Sequence, residues 1–552
     1  HGPLPLTVPR VARVLEQAPT RAKCTNLLTD DIYQLLLRAF GNRTCVPGGS
    51  YAQNGSGKFN DITDEVLLKL KKLSVGAVWY TGVVSHATRT HFRTVPDCDP
   101  SLVKGEAGSP YAIRNWFDVD PALAVNLDNR MAEFEALVER THRAGMKVII
   151  DFVPNHVFRQ YHSYFTPENF FPLDGPLHLP ESLHSSYVEN PALATGNNVF
   201  HAWPTVNDWY DTVKLNYDHR GTWSKMLSVL KFWVGKGVDG FRCDMVELVP
   251  ADFFEWAFRA LRAEHPGLMF IAEVYGKENY RRYADAGFDL LYDKSGFYDA
   301  LRDIVAGRRP ASCLTHEWQF LGDLQPRMLN FLENHDEQRV ASDFFAGSGK
   351  AAFPALAVSL LFNTASFLLY FGQEFGERGM ESEGFSGLDG RTSIFDYCSV
   401  PSVRRFLAGH LTVEESVVYK EYCRLLRIAT ADAIFSKGKT FDLMYVNPAS
   451  DRFDPTRQFA WMRGYAGSAM AIVANFADHP VDVDVLIPPE AYDFFGINDA
   501  SLRSDIPSPS QKNARSTDYH PLRSAGVMPG LTGHLVHFHV AAHDYTRIDV
   551  SK

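Results

Sequence analysis

Gly237-Val238-Asp239-Gly240-Phe241-Arg242-Cys243-Asp244-Met245-Val246-Glu247-Leu248-Val249-Pro250 is the stretch around which the chain is organised. Its glycines and β-branched residues suit a short buried strand ending near Arg242 and Asp244. Residues two apart in a strand point to the same face, so a cation and a carboxylate can reach one cavity. An acid at the C-terminal end of a strand, held by an arginine, can serve as a nucleophile. The same pair can equally be a structural ion pair, and the rest of the chain has to decide. Cys243, between them, reads as a buried small hydrophobe.

At 552 residues the chain is too long for one simple core, so two or three domains are expected. Hydrophobic residues at 45% and charged residues at 22% fit an ordinary soluble globular protein. A net charge of −10 argues against nucleic acid as a partner. Seven dispersed cysteines give neither a disulfide framework nor a zinc pattern, and no compartment follows from them. A start at His1 rather than Met leaves room for a removed leader, which favours a secreted or periplasmic protein. Asn42-Arg43-Thr44 and Asn54-Gly55-Ser56 are formal glycosylation triplets of a kind expected by chance. Residues 351–373 carry no charge over a bilayer-spanning length, but Pro354 and Asn363-Thr364 divide them into a buried helix and a buried strand. A membrane span is not expected.

Working outward, the chain alternates strand and helix. Strands are expected at 33–40, 75–81, 146–153, 238–243, 268–273, 288–293, 328–333 and 365–371. Helical spacing falls at 127–143, 222–235, 251–263 and 414–429, and in a helix that begins at Thr63. Eight such units predict an α/β fold, a (β/α)8 TIM barrel. Residues 1–29 are a lead-in; 30–156 and 219–432 form the barrel. Residues 157–218 are too long for one loop and read as a small domain inserted after the third strand. From 433 to 552 the pattern becomes an all-β sandwich, with strands at 441–446, 458–463, 470–475, 481–487 and 535–540 and a long loop over 499–530.

Barrel enzymes build their sites on the loops that leave the C-terminal strand ends. Here the third strand ends Asp151-Phe152-Val153-Pro154-Asn155-His156, the fourth Arg242-Cys243-Asp244, the fifth Ile271-Ala272-Glu273 and the seventh Glu333-Asn334-His335-Asp336. Any one acid could be half of a structural salt bridge; the set is hard to explain that way, because buried charges need partners.

These four segments, in this order, resemble the hallmark motifs of the alpha-amylase family, glycoside hydrolase family 13. Gly108-Ser109-Pro110-Tyr111 and Tyr370-Phe371-Gly372-Gln373-Glu374 add to the likeness, which covers roughly residues 30–430. The resemblance implies Asp244 as nucleophile, Glu273 as acid/base and Asp336 as the acid that binds the sugar hydroxyls. It implies that Tyr111 stacks on the sugar, that His156 and His335 hydrogen-bond it, and that Asp151 braces Arg242. Arg242 should keep Asp244 ionised while Glu273 holds a proton. The implied reaction is retaining cleavage of α-1,4 links in starch or maltooligosaccharides. Glucanotransferase, maltosyltransferase and neopullulanase-like activities share the site, and a non-catalytic glucan-binding relative is a remote alternative.

Some positions depart from the pattern. Glu247 and Leu248 stand where many relatives carry a Lys-His pair that helps bind the next sugar and a calcium ion. No cofactor is implied for the chemistry; a structural calcium stays open, with Asn155 as candidate side-chain ligand and the Leu248 backbone carbonyl as the other. Glu247 reads either as a residue that alters what binds on the leaving-group side or, more simply, as a solvated rim acid. Val213-Lys214-Leu215-Asn216 is closer to the form seen in neopullulanase-like members. Trp203, Trp209, Tyr210 and Tyr217 are core aromatics or further sugar platforms, and Trp461 is the one candidate platform in the β-domain.

Overall fold

The computed structural model describes residues 31–173, 175–178, 187–197, 208–381, 388–497, 523–524 and 533–551. The expected lead-in, Trp203 and most of the 499–530 loop lie outside the described residues. Eight parallel strands close into a barrel: β1 (Asp31–Leu36), β2 (Val75–Thr81), β3 (Lys147–Phe152), β4 (Gly240–Cys243), β5 (Met269–Ala272), β6 (Leu290–Tyr292), β7 (Met328–Phe331) and β8 (Ser366–Tyr370). They pair in sequence order around the ring, and β8 closes on β1 through Ile32 and Leu368. Between them run α1 (Asp64–Lys71), α2 (Arg130–Arg143), α3 (Arg220–Gly235) and α4 (Ala251–Glu264), with shorter helices in the later crossovers. Thr63 caps α1, its side chain accepting from Val66 N.

Two-residue alternation sorts the strand side chains. Trp79, Ile149, Ile271, Tyr292, Phe331 and Leu368 fill the barrel interior. Phe241 and Phe270 point outward, stacked on each other at 6.1 Å and, for Phe270, on Phe258 of α4 at 3.7 Å. Each fully buried aromatic contributes about 1.5–3 kcal/mol through the water it sheds. The same parity turns Gly240, Arg242 and Asp244 inward, with Arg242 in register with Asp151 of β3 and Ile271 of β5.

The first strand is shorter than expected. It ends at Leu36, and Leu37–Phe40 is one buried helical turn. An eight-residue apolar run cannot separate strand from buried helix by periodicity. The turn carries Arg38, whose Nη1 donates to Gly108 O at 3.1 Å and Ile394 O at 2.7 Å. That guanidinium ties down two loops that wall the pocket described below.

The uncharged segment 351–373 divides as expected, into the helix Phe353–Leu361 and strand β8. No helix among the described residues is long and apolar enough to cross a membrane. Between β3 and α3, short strands His156–Phe158 and Thr212–Lys214 pair antiparallel. Toward the C-terminus lie two antiparallel sheets, one of four strands and one of three. The strand expected at 441–446 runs instead over Lys439–Asp442, because the Asp442 carboxylate accepts Met444 N at 2.6 Å and turns the chain into a 3-10 turn.

One surface reading is corrected. Trp461 is fully buried and donates its indole N–H to Leu361 O at 2.9 Å, sealing the β-sheet to the end of a barrel helix. Asn42 and Asn54 are also buried. Asn42 Nδ2 donates to Thr44 O and Cys398 O, and Asn54 Nδ2 to Val46 O and Tyr397 O. Neither amide is presented for glycosylation.

Candidate active site

Arg242 is fully buried at the top of the barrel interior, and four groups converge on it. Its Nη1 donates to Asp244 Oδ1 at 2.7 Å and lies 3.5 Å from Asp151 Oδ1. Its Nη2 stands 3.0 Å from Glu273 Oε2 as an ion pair, although no N–H is aligned on that oxygen. Its Nε donates to Tyr292 Oη at 3.1 Å. The rings of Trp79, Tyr292 and Tyr111 surround it at 5.1, 5.4 and 5.5 Å. A cation taken wholly out of water needs such compensation, since its effective desolvation costs several kcal/mol.

The remaining side chains are set by their loops. Asp151 accepts Trp79 Nε1–H at 2.9 Å and Tyr111 Oη–H at 3.1 Å. Tyr111 is delivered by Gly108, which sits at φ +80° where a Cβ would fall 1.7 Å from Ala87 O, so only glycine fits. His335 stacks on Tyr111 at 5.2 Å, with its Nε2 2.8 Å from the phenol and its Nδ1 2.8 Å from Gln34 Nε2. Asn334 Oδ1 accepts Asp336 N at 2.9 Å and Glu337 N at 3.1 Å, which turns Asp336 into the pocket mouth. Glu333, the other acid of that motif, is bound to Arg339 at 2.9 Å and is structural.

Asp244, Glu273, Asp336, Tyr111, His156 and His335 wall one cavity of about 270 Å³, together with Trp209, Tyr275, Phe395 and others. Arg242 and Asp151 lie beneath them. The eight site residues read from the sequence therefore meet in one place. Gln34, Trp79 and Tyr292 were missed, although their inward parity at strand ends marked them. Tyr275 and Phe395 sit on irregular loops that carry no periodic signal. Of the insertion's aromatics, Trp209 reaches the cavity, 5.3 Å from His156, whereas Tyr210 and Tyr217 are buried. A larger recess of about 470 Å³ lies elsewhere; its Glu415 is paired with Arg405 and its Glu377 accepts from Ser402.

Burial raises both Asp244 and Glu273 above the usual carboxylate range, so Asp244 is not simply held low by its arginine. The two differ in what acts after burial. Arg242, by charge and by hydrogen bond, pulls Asp244 back, and a hydrogen bond with Glu273 helps. Glu273 feels Arg242 too, but the negative charge of Asp244 pushes it up. Burial and then the Glu273 charge push Asp336 up to about 7, although its side chain keeps 42% exposure and the hydration that goes with it. Burial lowers His156 to about 4 and His335 to about 3, which leaves both neutral as hydrogen-bonding groups.

Two positions depart from expectation. Glu247 is half-buried, not a solvated rim acid, because the loop after β5 supplies three donors to its carboxylate. The oxygens weighed as calcium ligands are also engaged. Lys214 Nζ donates to Asn155 Oδ1 and, at 2.9 Å, to Leu248 O. Burial lowers Lys214 to about 8, which leaves it charged at neutral pH. An ammonium already between the two candidate oxygens does not fit a divalent cation there.

A closed parallel barrel with acids gathered at its C-terminal rim has the form of a barrel enzyme. The family model "Alpha amylase, catalytic domain" matches residues 49–471, and the chain belongs to the alpha-amylase family. The family's chemistry needs no cofactor. Among curated relatives, alpha-amylase MalA of Haloarcula japonica is 28% identical over 64% of this chain and 45% of its own length. Cyclomaltodextrin glucanotransferase of Paenibacillus macerans is 24% identical over 63% of this chain and 50% of its own. An α-1,4-glucan:maltose-1-phosphate maltosyltransferase of Mycolicibacterium smegmatis is 29% identical over 51% and 36%. The chain thus spans half or less of these three relatives' length. Among solved structures, the noncanonic maltogenic alpha-amylase AmyB of Thermotoga neapolitana superposes with a TM-score of 0.60 at 21% identity, covering 95% of this chain and 97% of that one. A cyclic α-maltosyl-(1→6)-maltose hydrolase of Arthrobacter globiformis gives 0.63 at 15%, covering 95% and 99%. At these identities the likeness shows the shared fold.

Proposed function

We propose that the chain hydrolyses α-1,4-glucosidic bonds of starch or maltooligosaccharides with retention of configuration. The observation that carries this reading is the single guanidinium of Arg242, which touches one oxygen of Asp244 and one of Glu273. Carboxyls drawn together in this way suit a double displacement, in which they stand about 5–5.5 Å apart, better than an inverting pair about 6.5–9.5 Å apart with water between them. In the first step Asp244 bonds to the anomeric carbon as the glycosidic C–O bond breaks, and Glu273 gives its proton to the departing oxygen. In the second, Glu273 takes a proton from water, whose oxygen displaces Asp244 and restores both acids. Asp336 binds the sugar hydroxyls, His156 and His335 hydrogen-bond the same sugar, and Tyr111 stacks on it. Asp151 braces Arg242.

The second reading, transfer of the glycosyl unit to another sugar, is favoured by the relatives named as glucanotransferase and maltosyltransferase. Products from maltoheptaose separate the two. Only shorter sugars are expected, and oligosaccharides longer than seven units would replace hydrolysis by transfer.

The Lys214 contacts also support an enzyme that works without calcium at the junction of insertion and barrel. Activity and melting temperature should be unchanged, within error, after incubation with EDTA. A loss restored by adding calcium would show that the ion displaces the lysine.

A further inference from the structure

Glu247, three residues beyond Asp244, uses both carboxylate oxygens on the loop after β5. Its Oε1 accepts Tyr275 N at 2.7 Å, while Oε2 accepts Gly276 N at 3.1 Å and Asn279 Nδ2 at 2.6 Å. The fit is close: a Cβ on Gly276 would stand 2.8 Å from Glu247 Oε2. Tyr275, whose N–H is held in this way, donates its hydroxyl to Glu273 Oε2 at 2.7 Å. Met245, at the start of the turn that carries Glu247, donates its N–H to Glu273 Oε1 at 2.7 Å. It does so from φ 44°, ψ 51°, a left-handed conformation that non-glycine residues rarely adopt. Each oxygen of Glu273 therefore receives one hydrogen bond from segments that Glu247 ties together.

We infer that Glu247 is a positioning residue for the acid/base: it fixes the Tyr275 loop so that the Tyr275 hydroxyl is held on Glu273, and it does not itself bind sugar. This rests on Glu273 being the acid/base of the proposed hydrolysis. Hydrogen bonds to a carboxylate favour its charged form. The Tyr275 and Met245 bonds thus oppose the burial and the Asp244 charge that raise Glu273. The other titratable groups around Glu273 are Arg242 of β4, Asp151 of β3, Tyr292 of β6, and His335 and Asp336 after β7. Around Glu247 stand Tyr283 and Glu278, whose Oε1 lies 2.6 Å from the same Gly276 Cβ position.

The test is the pH profile of kcat/KM for Glu247→Ala, Tyr275→Phe and the double variant. The basic limb reports the proton on Glu273 in the free enzyme. Loss of a donor to the carboxylate raises that pKa, so the limb should move to higher pH in both single variants, by roughly one unit. Because Glu247 acts through Tyr275, the double variant should match Tyr275→Phe, a non-additivity typical of contacting groups. A limb that stays in place in Glu247→Ala, or that moves further in the double variant, overturns the inference. If Glu247→Ala does not fold, Glu247→Gln serves in its place. It keeps one acceptor but turns an amide toward two donors, so a smaller move in the same direction is expected, and an unmoved limb overturns the inference equally. Glu273→Gln separates this from the parent reading: an active Glu273→Gln refutes the acid/base assignment itself, whereas an inactive one with an unmoved Glu247→Ala limb refutes only the role of Glu247.

Discussion

Asp244→Asn should give a folded protein that turns over α-glucan on the order of 10⁶-fold more slowly, the scale seen when the catalytic nucleophile is removed from a serine protease. The substitution is nearly isosteric. Its amide oxygen can still accept from Arg242 Nη1, which now lies 2.7 Å from the carboxylate, so the packing around β4 has no reason to change. What disappears is the negative oxygen that must bond to the anomeric carbon. Oligosaccharide binding, which falls to Tyr111, His156, His335 and Asp336 in the proposed scheme, should persist. The sharper form of the test uses Asp244→Ala and Glu273→Ala with an α-glycosyl fluoride and azide. Azide entering the space left by the nucleophile attacks the β face and gives a β-glycosyl azide. Azide attacking the covalent β-intermediate in the Glu273 variant gives the α-product. The opposite pairing of products would exchange the two roles, and near-normal turnover by Asp244→Asn would end the nucleophile assignment.

The central pair was legible because strand periodicity is simple. Arg242 and Asp244 are two residues apart, and parity alone puts both on the inner face where the structure holds them. The same rule reaches Asp151 and Glu273 at neighbouring strand ends, and it would have reached Trp79 and Tyr292 had aromatic residues been read as partners of a buried cation. It could not reach Tyr275, which sits on an irregular loop and is placed by the Glu247 carboxylate rather than by any repeat. Glu247 itself was misread for a related reason. A lone acid past a strand end has the composition of a solvated rim, and only the fold reveals three donors waiting for it. Tyr33–Phe40 failed differently: an apolar run buried on every side carries no period, so the change from strand to helical turn after Leu36 left no trace in the residues. Trp461 looked like a platform because a strand aromatic can face either way; the Leu361 carbonyl decides which.

Removing the cation should do more damage than removing the nucleophile. Arg242→Met is expected to destabilise the protein by about 3–5 kcal/mol at neutral pH, the usual cost of stripping the partner from buried charges. It should also abolish turnover. Asp244, Glu273 and Asp151 would then crowd one largely buried space with no positive group between them. Carboxylates so placed hold their protons, and Asp151 already lies near 6 with the arginine present. In the variant their folded-state pKa values rise further above the unfolded value of about 4. Groups with raised folded pKa values contribute stability at low pH and lose it as the pH climbs through those values. The stability gap between wild type and Arg242→Met should therefore be small near pH 5 and widen from about pH 6 upward, as denaturant unfolding at pH 5 and pH 8 would register. Arg242→Lys separates charge from geometry. An ammonium restores one positive charge but cannot span Asp244 and Glu273 with two nitrogens while keeping the Tyr292 bond. It should recover most of the stability at pH 8 and little of the activity. A gap of equal size at both pH values would mean that Arg242 is valued for packing against Trp79, Tyr111 and Tyr292 rather than for its charge. Full activity in the lysine variant would mean that the paired grip on the two acids is not what the reaction needs.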